Sequence, residues 1–159
     1  MRIGVLSDTH GDFSSLEKAI DKLKDVDLIL HAGDFYKDAE YVKAVTCKKV
    51  IGVLGNCDVN FGLDGDYEKV LEIEGKRFFL THGHYFYIKS DLGLLIKRAK
   101  ELCADVVVFG HTHKALNIEI DNIIFFNPGS TTLPRGENLP SCGMIEVNKE
   151  EILAKVIEI

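Results

Sequence analysis

The chain has 159 residues, 46% of them hydrophobic, which is the size of one domain with enough apolar content for a packed core. Its 19 Lys and Arg residues against 25 Asp and Glu leave a formal charge of −6, and the basic residues are scattered, which excludes an extended nucleic-acid-binding surface. The opening apolar run is only four or five residues long, too short for a signal segment or a membrane span, and Cys47, Cys57, Cys103 and Cys142 form no C-x-x-C pair, so the expected setting is a reducing cytoplasm.

Arg2 to Leu6 is an apolar run closed by Ser-Asp and predicts a buried strand. Ser14 to Glu17 has the spacing of a capping box, and Phe13, Leu16, Ile20 and Leu23 recur at helical intervals, so a helix follows. Leu28 to Leu30 predicts a second strand, Ala39, Val42 and Val45 a short helix, and Lys49 to Leu54 a third strand. Tyr67 to Ile73 and Lys76 to Leu80 flank Glu74-Gly75 and predict a hairpin. A helix carrying Ile88, Leu92, Leu95, Ile96, Ala99 and Leu102 precedes the run Val106 to Phe109. Its basic group, Lys97, Arg98 and Lys100, reads as a solvated face. The remainder predicts strands at Leu116 to Ile120, Ile123 to Phe126, Gly143 to Val147 and Ile152 to Ile157. A β-rich tail on an α/β start implies two sheets packed face to face with helices outside. No repeat or linker interrupts residues 1–159, which read as a single domain, with Cys47, Cys103 and Cys142 expected in its core.

The chemistry falls at the strand ends. Five polar clusters each follow an apolar run: Asp8-Thr9-His10, Gly33-Asp34, Gly55-Asn56-Cys57-Asp58, His82-Gly83-His84 and Gly110-His111-Thr112-His113. Ligands at the carboxyl ends of neighbouring strands converge in one crevice. Imidazole, carboxylate and one amide suit Mn, Fe, Zn, Co or Ni better than Ca or Mg, and seven donors are too many for one tetrahedral zinc. Two divalent ions about 3.5–4 Å apart fit better, with Asp8 or Asp34 able to bridge them. The positive charge left after those two carboxylates suits a hydroxide and an anionic phosphate ester.

The series Asp8-x-His10, Gly33-Asp34, Gly55-Asn56-x-Asp58, His82 and Gly110-His111-x-His113 resembles the calcineurin-like metallophosphoesterase superfamily, and the short length with Gly-Asn-Cys-Asp and Thr-His-Gly-His resembles its small bacterial and archaeal phosphodiesterase branch. The match runs from Asp8 to about Ser130. The resemblance implies a four-layer αββα sandwich of two mixed β-sheets flanked by helices. It implies that Asp8, His10 and His113 hold the first metal, that Asn56, His82 and His111 hold the second, and that Asp34 bridges. It further implies attack of a metal-bridging hydroxide on small or flexible phosphodiesters, and also on monoesters, with Mn as the first expected ion. The same fold occurs in the retromer scaffold subunit, so a protein-binding platform is the alternative. An acidic balance and an exposed sheet edge permit a homo-oligomer.

Cys57 stands where many members of the wider superfamily have a histidine able to protonate the leaving oxygen. Beside two dications a thiol should shift toward thiolate, which is a poorer acid. Esters with good leaving groups are therefore the expected substrates. His84 is expected beside the substrate or behind the ligands, Asp58 is expected to orient a neighbouring group or turn, and His31 is expected to be structural. Asn127 to Ser130 reads as a turn, and in the family a similar loop lies beside the metals.

Overall fold

The computed structural model describes residues 1–159. In chain order the elements are β1 (Arg2–Leu6), α1 (Phe13–Lys22), β2 (Leu28–His31), α2 (Tyr36–Thr46), β3 (Lys49–Gly52), α3 (Asn56–Asn60), β4 (Glu68–Ile73), β5 (Lys76–Thr81), a 3-10 turn at His84–Phe86, α4 (Gly93–Glu101), β6 (Val106–Val108), β7 (Leu116–Ile120), β8 (Ile123–Asn127), β9 (Ser141–Val147) and β10 (Ile152–Glu158). They form two five-stranded mixed sheets, ordered β10-β9-β1-β2-β3 and β4-β5-β6-β8-β7. β1, β2 and β3 are parallel, as are β5, β6 and β8, while the pairs β1–β9, β9–β10, β4–β5 and β7–β8 are antiparallel.

Both faces of the central strands are covered, so their apolar runs are nearly continuous and alternate between two cores. Phe78, Leu80, Val106, Val108 and Phe126 point between the sheets, where they meet Ile3, Val5, Leu28 and Leu30. The intervening Phe79, Val107 and Phe125 point outward against Leu95 and Ala99 of α4. On the other sheet Ile29 packs outward with Leu16 and Ala19 of α1 and Val42 of α2. The resulting order of helices, sheet, sheet and helix is the expected four-layer αββα sandwich. The Glu74-Gly75 hairpin also forms, with both residues at positive φ as a tight primed turn requires.

The departures from expectation have local causes. Asp12, not Ser14, caps α1: its carboxylate accepts the N–H groups of Ser14 and Ser15 at 3.0 and 3.3 Å. The helix expected from Ile88 starts at Gly93, because the chain first makes a 3-10 turn and passes through a left-handed Tyr87. The five-residue α3 is too short to show a hydrophobic period, and an Asp58 carboxylate accepting the Gly55 N–H at 2.8 Å holds its first turn. Cys47 and Cys103 are exposed rather than in the core, since both occupy left-handed positions where a helix ends at the surface; Cys142 is buried as expected. Lys97 is exposed as the solvated-face reading requires, and Arg98 and Lys100 pair with surface carboxylates.

Leu80 has no exposed surface in the inter-sheet core. Leu80→Ala is expected to cost about 2–5 kcal/mol in urea unfolding, against a negligible effect at the half-exposed Leu94. Asp12→Ala should lower the urea midpoint, whereas Ser14→Ala should leave it in place.

Candidate metal centre

All six parallel strands end at one edge of the sandwich, and each delivers a polar segment there. β1 supplies Asp8 and His10, β2 supplies Asp34, β3 leads to Asn56, β5 leads to His82, β6 leads to His111 and His113, and β8 leads to Ser130. Asp8, His10, Asp34, His111 and His113 all have φ between 50° and 65°. Left-handed backbone is unfavourable for residues with a Cβ, and its concentration in five candidate ligands marks a place where the surroundings enforce geometry. Two motif glycines are required by close approach: a Cβ on Gly55 would collide with Asp34 Oδ1, and one on Gly110 would collide with Ser7 Oγ.

Asp8 is fully buried. Its Oδ2 accepts Ser7 Oγ–H at 2.7 Å and the His111 N–H at 3.0 Å. Its Oδ1 lies 3.2 Å from His113 Nε2 and 4.0 Å from His82 Nε2. The Nδ1 atoms of these two rings face the carbonyls of Leu133 at 2.7 Å and Ala32 at 2.8 Å. A carbonyl only accepts, so each Nδ1 carries the hydrogen and each neutral ring turns the Nε2 lone pair toward the carboxylate. Oδ1 is consequently a buried anionic oxygen with no donor. A divalent cation is what such a cluster of lone pairs accommodates.

The donors divide into two overlapping sets. Ligand atoms of Asp8, His10, Asp34 and His113 all lie within 4.8 Å of one another, and the Nε2 atoms of His10 and His113 are 3.3 Å apart. On the other side His82 Nε2 is 3.4 Å from Asp34 Oδ1 and 3.2 Å from Asn56 Oδ1, with the His111 ring centred 5.1 Å from that of His82. Both carboxylates border both sets, Asp34 Oδ1 approaching His82 Nε2 more closely than Asp8 Oδ1 does, at 3.4 against 4.0 Å. The seven sequence-derived ligand candidates thus come together.

The electrostatics follow. Burial opposes ionisation of Asp8 and Asp34, but hydrogen bonding and the positive charge that His82 and His113 carry once protonated outweigh it and hold both carboxyls below their usual range. Burial likewise opposes protonation of His82 and His113, yet the facing carboxylates raise both. His84 and His111, half-buried and beside His82, are pushed down to about 4.

The remaining candidates are also placed. Both oxygens of the buried Asp58 accept backbone N–H groups, from Tyr36 at 2.7 Å and Gly55 at 2.8 Å, so Asp58 fixes the turn carrying Asn56. The Cys57 N–H donates to Asp34 Oδ1 at 2.9 Å. Burial, Asp34 and Asp58 push the Cys57 thiol up to about 12, so the chain itself opposes the thiolate expected at this position. The His84 ring centre lies 5.4 Å from that of His82, and its buried Nδ1 has no partner. His31 is structural: its Nδ1 accepts the Gly33 N–H and its Nε2 meets Thr9 Oγ1. Ser7, Phe35 and Asp38 were not indicated by the sequence. Ser7 positions Asp8, Phe35 packs edge-on to His10 at 5.5 Å, and buried Asp38 accepts the Gly11 N–H at 2.9 Å. None of them lies in a recognisable spacing.

Residues 1–150 match the calcineurin-like phosphoesterase superfamily domain. The chain belongs to that superfamily. A probable metallophosphoesterase of Methanothermobacter thermautotrophicus is 37% identical over 99% of this chain and 92% of its own. A phosphodiesterase of Methanocaldococcus jannaschii is 32% identical over 99% of this chain and all of its own. Among solved structures, an Entamoeba histolytica Vps29 single mutant superposes with a TM-score of 0.79 at 22% identity, over all of this chain and 99% of its own, a likeness of fold alone. This calcineurin-like protein is accordingly a metal-dependent phosphoric ester hydrolase. No helix in it is long and apolar enough to cross a membrane.

Binding of a divalent ion should raise the melting temperature of the metal-free protein. In Asp8→Asn, which lacks the donorless anionic oxygen, most of that rise should vanish, as read by calorimetry with and without added Mn²⁺.

Proposed function

We propose that Asp8, His10 and His113 hold one divalent ion, that Asn56, His82 and His111 hold a second, and that Asp34 is shared between them. The donorless Asp8 Oδ1 facing two imidazole lone pairs carries this reading. Bound there, two such ions supply Lewis-acid stabilisation of phosphoryl oxygens and lower the pKa of water. Manganese suits the mixed nitrogen and oxygen donors, and nickel, cobalt, iron or zinc are acceptable substitutes. The substrates are small or flexible phosphodiesters, with monoesters secondary, and one domain spanning residues 1–159 does the work. Water adds to phosphorus, the ester P–O bond breaks, and the departing oxygen takes up a proton.

The chain's own residues orient the donors. The carbonyls of Ala32 and Leu133 set the tautomers of His82 and His113, Asp58 fixes the turn bearing Asn56, and the Cys57 N–H steers Asp34. His84, whose ring lies beside that of His82, is the further residue assigned to contact the substrate. Four free cysteines, two of them exposed, support a reducing compartment. The second reading, a protein-binding scaffold, is favoured by the fold likeness to Vps29. Against it stands a complete and costly donor set that a scaffold has no physical reason to keep.

Metal-stripped protein should hydrolyse bis-p-nitrophenyl phosphate only after Mn²⁺ is restored, with two ions per chain by elemental analysis. Asp34→Asn should lower kcat by about a hundredfold or more. A folded protein that binds two ions yet turns over no ester with Mn²⁺, Ni²⁺, Co²⁺ or Zn²⁺ would favour the scaffold. A thiol in place of an imidazole is a weak proton donor to the departing oxygen, so aryl diesters should be preferred over alkyl ones, and Cys57→His should narrow that preference by about a hundredfold. An unchanged ratio would remove Cys57 from the account.

A further inference from the structure

A depression of about 580 Å³ is walled by the loop that carries His111 and His113: Thr112 and Lys114, the residues on either side of His113, both line it. Three cations ring this cleft, Lys89, Lys114 and Arg135, and none of its lining residues is acidic. Four other surface depressions each contain at least one carboxylate, in a chain where Asp and Glu outnumber Lys and Arg. None of the three cations forms an ion pair, unlike Arg98 and Lys100 on the neighbouring helix. Between them lies an apolar floor that includes Leu92, Ala115 and Leu116.

The wall is fixed rather than loose. The Arg135 N–H donates to the His113 carbonyl at 3.0 Å, and the Arg135 carbonyl accepts Asn138 Nδ2–H at 2.7 Å. Asn138 Oδ1 in turn accepts the Ala115 N–H at 3.1 Å, and the Lys114 N–H donates to Thr112 Oγ1. Unpaired cations concentrated in a concave, partly apolar site focus an anion there.

We propose that this cleft binds one arm of the diester, and that this arm carries an apolar or aromatic body and a second phosphoryl group, as in a nucleotide phosphorylated at its far end. The proposal deepens the diesterase reading and rests on it. The apolar floor takes the body of the arm, and Lys89, Lys114 and Arg135 take its distal charge.

The test compares two substrates with the same leaving group: thymidine 5′-(p-nitrophenyl phosphate) with and without a 3′-phosphate. Two or three solvent-screened ion pairs should give the 3′-phosphorylated ester an advantage of about tenfold in kcat/KM, declining with added salt. In the triple variant K89Q/K114Q/R135Q that ratio should fall toward one. In K18Q/K24Q/K149Q, which makes the same change of net charge outside the cleft, it should persist. Equal rates on the two esters with the wild type, a ratio retained in the cleft variant, or a ratio lost equally in both triple variants would overturn the proposal. If bis-p-nitrophenyl phosphate is not hydrolysed at all, the diesterase reading fails instead, and the cleft is judged by calorimetry with thymidine 3′,5′-bisphosphate. Binding about tenfold weaker in the cleft variant would uphold the anion site, and equal or absent binding would overturn it.

Discussion

Burying an ionised carboxylate costs several kcal/mol unless a partner compensates it, and Asp8 has no exposed surface. Two hydrogen bonds reach its Oδ2, and none reaches Oδ1. The groups nearest Oδ1 are imidazole nitrogens whose hydrogens lie on the far side of their rings, committed to carbonyls. Apart from a cation, only protons taken up by those rings relieve the arrangement, and the raised affinities of His82 and His113 express that demand. A divalent ion meets it more fully, since it satisfies several lone pairs at once. The two sheets, their common edge and the loops beyond it all serve to keep these donors facing one another.

The same constraint explains where the backbone is strained. Asp8, His10, Asp34, His111 and His113 adopt left-handed conformations that Asp and His tolerate better than most residues. A strand that ends in such a residue turns sharply, which directs consecutive polar side chains into the crevice instead of onward over the sheet. The neighbouring interactions hold these turns. Ser130 Oγ–H donates to the Asp8 carbonyl at 2.7 Å, Thr132 Oγ1–H donates to the Thr9 carbonyl at 3.0 Å, and the Asp8 N–H donates to the Gly33 carbonyl at 3.0 Å. The cost of the site is thus distributed over side chains from β1, β2 and β8, which are themselves anchored in the cores.

The strands and the convergence of the candidate ligands were legible because both depend on local patterns. Runs such as Val106 to Phe109 have no polar interruption, and a polar cluster follows within a few residues. Helix ends were less legible. Ser14 and Asp12 are both good caps, and only the observed turn at Thr9 to Asp12 selects Asp12. Cys47 and Cys103 look like core residues by type, but their position at helix ends overrides their apolarity. The positioning roles of Ser7, Asp38 and Phe35 depend on contacts made across the fold, which no spacing encodes. Cys57 illustrates the limit most clearly: burial, Asp34 and Asp58 raise its thiol, and the approach of Asp34 depends on the geometry of two separate strand ends.

The balance of charge also bears on what enters the site. An acidic chain repels anionic substrates at a distance, and the two buried carboxylates add to that repulsion until ions neutralise them. Local positive charge is then needed to bring an anionic phosphoric ester in. Lys89, Lys114 and Arg135 are unpaired and flank the His111–His113 loop, whereas Arg2, Arg77 and Arg98 are matched by surface carboxylates. The uneven pairing concentrates the field without changing the net charge. A surface used only as a protein-binding platform would gain nothing from combining that uncompensated cationic rim with a strained, donorless carboxylate linked to it through the His111–His113 loop, so the two features are more coherent as parts of one anion-processing site.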